Sequence, residues 1–441
     1  MTGPIARPLS GVVAVGVLLA LLLLPACGGP DPTPTAEPDP TVEPTAPPPP
    51  TPTPAEQTAG STPMPPEPPT ATPTPAPPTF EEEWEALKAA ARAEGKLTLV
   101  TGNGSSRGLV PPLREAFGQQ FGIEVVIQGG SGSQHMARIS AERQAGRYEL
   151  DIVIHGRTTH GERLAPAGFL TPIQEQLFHP DATDPTVWWM DKFWWRQPDG
   201  VEPKYSIAFS VTAWPNPLNP PYNTDLVSEE DLAAIESSWD FLDDKWKGKI
   251  IALSPLESGS HGGLTDIYSH PELGPEWVER FYSRDLDVTF VGDVRQIVDG
   301  ISLGAFAFSF FDRGAERDLL LLQAEGLPIA FWSKDLKEVG RVSANSGWHW
   351  LGVMDRAPHP NAAKLFANWW LTQEGQTAYN TLSSSPPPPS LRDDVPPGNS
   401  PPGERRILGA TYEMSSLDVN LPDRRLEAVD TAQRVFLEGR E

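Results

Sequence analysis

Cysteine is almost missing from this chain: 441 residues contain one, Cys27. A single thiol cannot close an internal disulfide, so stability must come from a packed core. Positive charge is also scarce. Lys and Arg number 34 against 58 Asp and Glu, a net charge of −24. That balance argues against nucleic acid, whose phosphates need cationic side chains to displace counterions. It argues equally against a polybasic membrane patch. Long apolar runs are missing too. The one candidate, Val12 to Leu24, is too short to span a bilayer comfortably. No internal repeat of fixed period occurs, and none of the seven tyrosines is next to another.

What is present begins with an export signal. Arg7 gives a short positive region, Val12 to Leu24 the apolar region, and Ala26 a small residue before a cleavage point. Leu24-Pro25-Ala26-Cys27 resembles a bacterial lipobox, in which the cysteine is lipidated and becomes the mature N-terminus. The resemblance implies a lipoprotein signal over 1–27 and a lipid anchor at the extracellular face of the cell membrane or in the periplasm. The plainer alternative is an ordinary signal peptide with a stray cysteine. Residues 28–79 are mostly Pro, Thr, Ala and Glu, and they hold many of the 51 prolines. Such a stretch has little apolar surface to bury and is expected to be a disordered tether rich in polyproline II. Extended, it would reach on the order of 150 Å. A glycosylated stalk is compatible with the same composition.

From Phe80 on, the texture is globular. Trp84, Leu87 and Ala91 share one face of a helix predicted over 81–94, and Gly95 ends it. Strand signals follow at 97–100, 123–127 and 150–154, with helices near 109–120 and 133–144 between them. After Asp184 aromatic clusters interrupt the pattern. It resumes with strands at 249–253, 287–291 and 305–310 and helices near 275–282 and 294–301. Strand–loop–helix units of this length imply right-handed crossovers and parallel sheets covered on both faces. The expected fold class is α/β, with two doubly wound lobes.

In open α/β sheets, ligands sit beyond the carboxyl ends of the strands, where helix N-termini direct free N–H groups outward. Three such loops are legible in the first lobe. They are Asn103-Gly104-Ser105-Ser106-Arg107, Gly130-Ser131-Gly132-Ser133-Gln134 and His155-Gly156-Arg157-Thr158-Thr159-His160. Small hydroxyl residues, glycine and arginine can cradle an anionic group without a metal. Glu257-Ser258-Gly259-Ser260-His261 takes the same place in the second lobe. Read structurally, Ser133 and Thr158 are N-caps and the glycines turn the chain. Catalytic motifs fare poorly. Gly104-Ser105-Ser106-Arg107-Gly108 matches G-x-S-x-G in form, but it follows the first strand, before a sheet or oxyanion hole could exist. Gly102-Asn103-Gly104 opens like a dinucleotide fingerprint, with Arg107 where the third glycine belongs. His155 and His160 fit no standard zinc spacing. Trp188-Trp189-Met190 with Phe193-Trp194-Trp195 is either core or a stacking wall for a ligand.

Several further segments carry a resemblance. They are Pro221-Tyr222-Asn223-Thr224-Asp225-Leu226-Val227, Ser238-Trp239-Asp240-Phe241-Leu242, Trp246-Lys247-Gly248-Lys249-Ile250, Ala357-Pro358-His359-Pro360-Asn361-Ala362-Ala363-Lys364-Leu365-Phe366 and Glu374-Gly375-Gln376. Together they make residues 80–441 resemble the type II periplasmic binding proteins of ABC importers, in the extracellular solute-binding branch that includes ferric-iron binders. The resemblance implies lobe one from 80–206 plus 328–441, lobe two from 207–327, and a two-segment hinge near 205–214 and 328–332. It implies a binding protein, with no catalytic residue and no cofactor, that closes on a small solute and delivers it to ABC permease subunits. It also implies a monomer. Iron-binding members use two adjacent tyrosines. The comparable place here is Ser309-Phe310-Phe311-Asp312-Arg313, and phenylalanine cannot ligate a metal. The expected solute is therefore organic or oxyanion-bearing, with ferric iron as the alternative. The candidate ligand contacts are Asn103, Ser105, Ser106, Arg107, Ser131, Ser133, Gln134, His155, Arg157, Ser258, Ser260, Asp312 and Arg313. Arg107 and Arg157 would be its charge partners. A cationic polyamine would instead favour acidic and indole side chains. Two readings of other classes are a ligand-sensing surface lipoprotein and a secreted hydrolase using Ser105 or Ser106.

Overall fold

The computed structural model describes residues 77–440 apart from 258, 313, 314, 346, 422 and 423. The export signal, Cys27, nearly all of the proline-rich stretch, Ser258 and Arg313 therefore lie outside the described residues, as do the side chains of Asn103 and Arg107. Thr79 opens the first helix, Phe80–Glu94, with a capping box: its Oγ1 accepts from the Glu82 N–H, and the Glu82 carboxylate accepts from the Thr79 N–H. Gly95, at φ 69°, closes the helix in the left-handed conformation that glycine reaches without strain. Leu87 and Ala91 are buried and Trp84 packs beside them, so this helix seats on helix Pro360–Trp370.

The first sheet is built from β1 (Lys96–Gly102), β2 (Glu124–Gly130), β3 (Ile152–His155), β4 (Leu170–Thr171), β5 (Ser206–Ala208) and β13 (Trp350–Met354). Its order is β2-β1-β3-β13-β4, with β5 also on β13. β1 runs parallel to β2 and β3, and the late strand β13 inserts antiparallel beside β3, pairing Leu351 with Ile154. Leu97, Leu99 and Val100 are fully buried, as expected of a central strand covered on both faces. The second sheet has the order β11-β7-β10-β8-β9: β7 is Pro221–Asn223, β8 Ile250–Leu253, β9 Thr289–Val291, β10 Phe308–Phe310 and β11 Ile329–Phe331. β8, β9 and β10 are parallel, and Phe241, Trp246, Trp277, Phe281 and Phe310 fill the core against them. A third, small sheet joins β6 (Thr212–Trp214), β12 (Gly340–Ser343) and β14 (Tyr412–Glu413) in the order β14-β12-β6. β6 and β12 are the outward and return passages of the chain between the two larger sheets.

Three expectations need correction. The first concerns the helix predicted to begin near 109, which begins at Asn103, so the first candidate loop is its opening turn. Gly104 and Gly108 hide that start in the sequence. Pro111, inside the helix, and Pro112, just after it, remove two N–H donors where it passes into a π-helical stretch, Pro112–Gly118. A second difference concerns residues 328–441, which do not all pack with the first sheet. β11 is hydrogen-bonded to β7 of the second sheet, and the C-terminal helix Arg425–Glu438 buries Ala428, Ala432 and Phe436 against helices His261–Ser269 and Gly274–Tyr282. The third correction stems from the second. The chain passes between the sheets three times rather than twice, the extra passage lying between β14 and Arg425.

The aromatic cluster is core. Trp188 and Trp194 are buried, and Trp189, Phe193 and Trp195 pack against the same apolar cluster as the first sheet. Arg392, 1 % exposed, lies over the Trp188 ring and spends all its donors on Asp181, Leu371 and Asp394.

Candidate functional site

Two adjoining chambers lie at the carboxyl ends of the parallel strands of both large sheets. The first encloses about 190 Å³ and the second about 310 Å³, and Gly262 and Asp266 line both.

The first chamber begins where β2 and β3 end. Ser131 caps helix Gly132–Gln144 by accepting from the Gln134 N–H at 3.2 Å, while the Gln134 side chain accepts from the Ser131 N–H at 2.8 Å. Those two residues therefore serve the helix end. Ser133, one residue into the helix, faces the chamber and accepts from Arg163 Nη1 at 2.7 Å. After β3 the chain turns directly into a helical turn from Arg157 that continues as Thr159–Leu164. Gly132 is required here, because a Cβ on it would lie 2.3 Å from Thr159 Oγ1. Arg157 is 7 % exposed; its Nη1 donates to the Ser415 carbonyl and its Nε has no partner. The opposite wall comes from His261, Gly262 and Thr265 on helix His261–Ser269, and from Arg424 and Arg425 at the start of the C-terminal helix.

The second chamber carries the opposite charge. Asp312 follows β10, accepts from Ser309 Oγ at 2.6 Å, and has its carboxyl pushed up by desolvation. Glu316 moves the same way, by desolvation and then by the Asp312 charge. Glu404 is pushed up to about 7, by burial first and the Glu316 charge second. Phe310, Phe311 and Trp214 supply ring surface, and Ser260 lines the wall while its hydroxyl donates within its own loop, to Ser254 and Glu257 carbonyls. Between the chambers Asp266 accepts from Arg341 Nη1 at 3.0 Å, from Ser416 Oγ at 3.1 Å and from Asn345 Nδ2 at 3.4 Å. The Arg341 guanidinium stacks on Trp214 at 3.9 Å.

Of the residues singled out from the sequence, Ser133 and Arg157 line the first chamber and Ser260 and Asp312 the second. His155 does neither and is a correction. It is the last residue of β3, its Nδ1 accepts from the Gly156 N–H at 2.9 Å, and its Nε2 faces the Gly130 carbonyl at 3.4 Å. Burial first, then the His135 and Arg163 charges, holds it down to about 4. Ser105 is buried where two backbones cross: a Cβ on Gly347 would lie 2.7 Å from the Gly102 Cα and 2.9 Å from Ser105 Oγ. Neither Ser105 nor Ser106 lines a chamber. Sequence reasoning missed Arg163, Arg341, Glu404, Ser415 and Arg424. All lie outside the strand-end loops that guided it, and only the pair Arg424-Arg425 opening an amphipathic helix offered a signal.

The sequence profile of the family described as bacterial extracellular solute-binding protein matches residues 113–401. The chain belongs to this family. Among solved structures it is similar to the substrate-binding protein of an ABC transporter from Agrobacterium tumefaciens, at 14% identity and a TM-score of 0.53 over 77% of this chain and 94% of that one. It is also similar to IdiA (FutA) of Trichodesmium in complex with iron and citrate, at 16% identity and a TM-score of 0.51 over 77% and 99%. Iron-bound HitA from Pseudomonas aeruginosa matches at 17% identity and a TM-score of 0.50, again over 77% and 99%. No curated protein matches the sequence. At these identities the structural likenesses establish the two-lobed periplasmic-binding-protein fold, and the family match establishes solute binding. The chambers at the strand ends are where such a fold offers room for a solute.

Proposed function

We propose that this protein is the solute-capturing component of an ABC importer, held at the outer face of the cell membrane by a lipid on Cys27 and raised from it by residues 28–79. In this reading one lobe carries the first sheet, the other carries the second sheet with the C-terminal helix, and the small sheet is the hinge. The observation that carries it is the pair of chambers shared by helix starts from both sheets, lined by residues from 132 to 425. Closure of the lobes brings those donors onto one solute, and a permease recognises the closed form. The chemistry of the walls is hydrogen bonding and charge pairing, which suits capture and release without bond making.

The test is uptake. Small molecules released from the purified full chain identify the solute, and deleting the gene should abolish import of that solute by intact cells. Unchanged uptake with altered gene expression would move the protein to the sensor class. Replacing Cys27 by serine should shift the protein from the membrane fraction to the medium or periplasm.

A further inference from the structure

The two chambers face one another with opposite charge. In the first, Arg157, Arg163 and Arg424 have no carboxylate within ion-pair distance among the described residues. Asp266, the acidic residue in that wall, is already paired with Arg341. Arg157 carries the strongest signal. Its side chain is more than nine-tenths buried, yet its Nε donates to nothing. A guanidinium N–H taken out of water without an acceptor is costly, and an acceptor arriving with the ligand removes that cost. Three helices of nine residues or more, Gly132–Gln144, His261–Ser269 and Arg425–Glu438, begin at this chamber, so helix-start N–H groups and positive dipole ends converge there.

Resting on the solute-binding reading, we propose that the solute is an organic phosphate monoester. Its phosphate lies in the first chamber, against Arg157 and Arg163, and its body lies in the second. Several unpaired cations and three helix starts match a dianion with three free oxygens better than a single carboxylate. The second chamber is the larger, at about 310 Å³, and inorganic phosphate alone would leave it unfilled. Its carboxyl groups Asp312, Glu316 and Glu404 accept hydrogen bonds, and its rings Phe310 and Phe311 cover apolar surface. The body therefore carries O–H or N–H donors and no second anionic group, which those carboxylates would repel.

Calorimetric titration of the purified full chain tests this with inorganic phosphate, glucose 6-phosphate and O-phosphoethanolamine, and with glucose and ethanolamine as the parent compounds. Inorganic phosphate should bind saturably. At least one ester should bind ten times more tightly than phosphate, and neither parent should bind measurably. The better ester tells a hydroxyl-bearing body from an amino one. Arg157→Gln and the less buried Arg163→Gln should each weaken phosphate binding at least tenfold, with circular dichroism melts showing that the variants fold. Glu404→Gln should leave inorganic phosphate binding unchanged and alter ester binding. Phosphate binding that is absent, or indifferent to both arginine changes, overturns the proposal, as does an ester that binds no tighter than phosphate. Native mass spectrometry separates the two levels. A co-purifying solute without phosphorus defeats this inference alone, whereas a chain that retains no solute and supports no uptake defeats the solute-binding reading.

Discussion

Glu413, in β14, is 6 % exposed, and although its Oε1 accepts from the Ser415 N–H at 2.5 Å, its Oε2 has no partner. Burial pushes this carboxyl up to about 7, as it does Glu404. His155 and His160 move the other way, down to about 4 and about 3, again through burial first. The two kinds of group pull stability in opposite directions. Above the ordinary glutamate value of 4.5, the folded chain keeps protons that the unfolded chain has released, so stability falls as pH rises until both carboxyls ionise near 7. Below the ordinary histidine value of 6.5, the unfolded chain takes up protons that the buried rings refuse, so stability falls as pH falls. Melting temperature should therefore be nearly level between pH 4.5 and 6.5, drop below that range, and drop from 6.5 to a lower plateau above 7. Glu413→Gln should raise stability at pH 8 by about 1–3 kcal/mol and change it little at pH 5. Equal shifts at both pH values in thermal melts would refute the assignment. At this scale the placement of Ser133 and Arg157 at the first chamber was readable because each lies within three residues of the end of a strand that the apolar pattern marks. His155 was misread because the strand ends one residue later than its apolar run, which turns a loop histidine into a buried strand residue.

The C-terminal helix Arg425–Glu438 is the element whose placement the sequence conceals. Its apolar positions give an amphipathic pattern, but nothing local says which sheet that face meets. The structure sets Ala428 and Ala432, one turn apart and fully buried, against helices His261–Ser269 and Gly274–Tyr282. Alanine allows the close approach, so a larger side chain must push the helices apart. Ala432→Leu should cost about 1–3 kcal/mol in urea unfolding. The control Leu426→Ala, at a site 85 % exposed, should stay within about 0.5 kcal/mol of wild type. Equal effects would mean that the helix does not seat as described. Other elements were legible for a stated reason. Helix Phe80–Glu94 shows its apolar face and the glycine that ends it, and the crossover helices lie between strands with continuous apolar runs. Helix Asn103–Pro111 was half legible, since two glycines and a proline depress helix propensity where tertiary packing nevertheless holds the turn.

Across the whole molecule, the site joins segments more than a hundred residues apart, and no window of sequence contains their meeting. Asp266 sits at such a meeting point. Its helix belongs with the second sheet, while its partners Arg341 and Asn345 lie on the return passage toward the first sheet and Ser416 on the connection that leaves β14. The Arg341 and Asp266 side chains are 15 % and 4 % exposed, so the pair is held largely out of water. Removing the acid takes one carboxylate away from a cation that also faces Trp214 and the Pro217 carbonyl. Breaking a buried pair from one side costs about 3–5 kcal/mol. Asp266→Asn should therefore lower stability by that order and, because the lost contacts bridge the two halves, should also let them separate. Small-angle scattering reads the second effect directly: the variant should show a larger radius of gyration than the wild type at equal concentration. A destabilised variant with an unchanged scattering curve would place the contribution of Asp266 within its own half, and closure would then depend on the solute and the hinge strands alone.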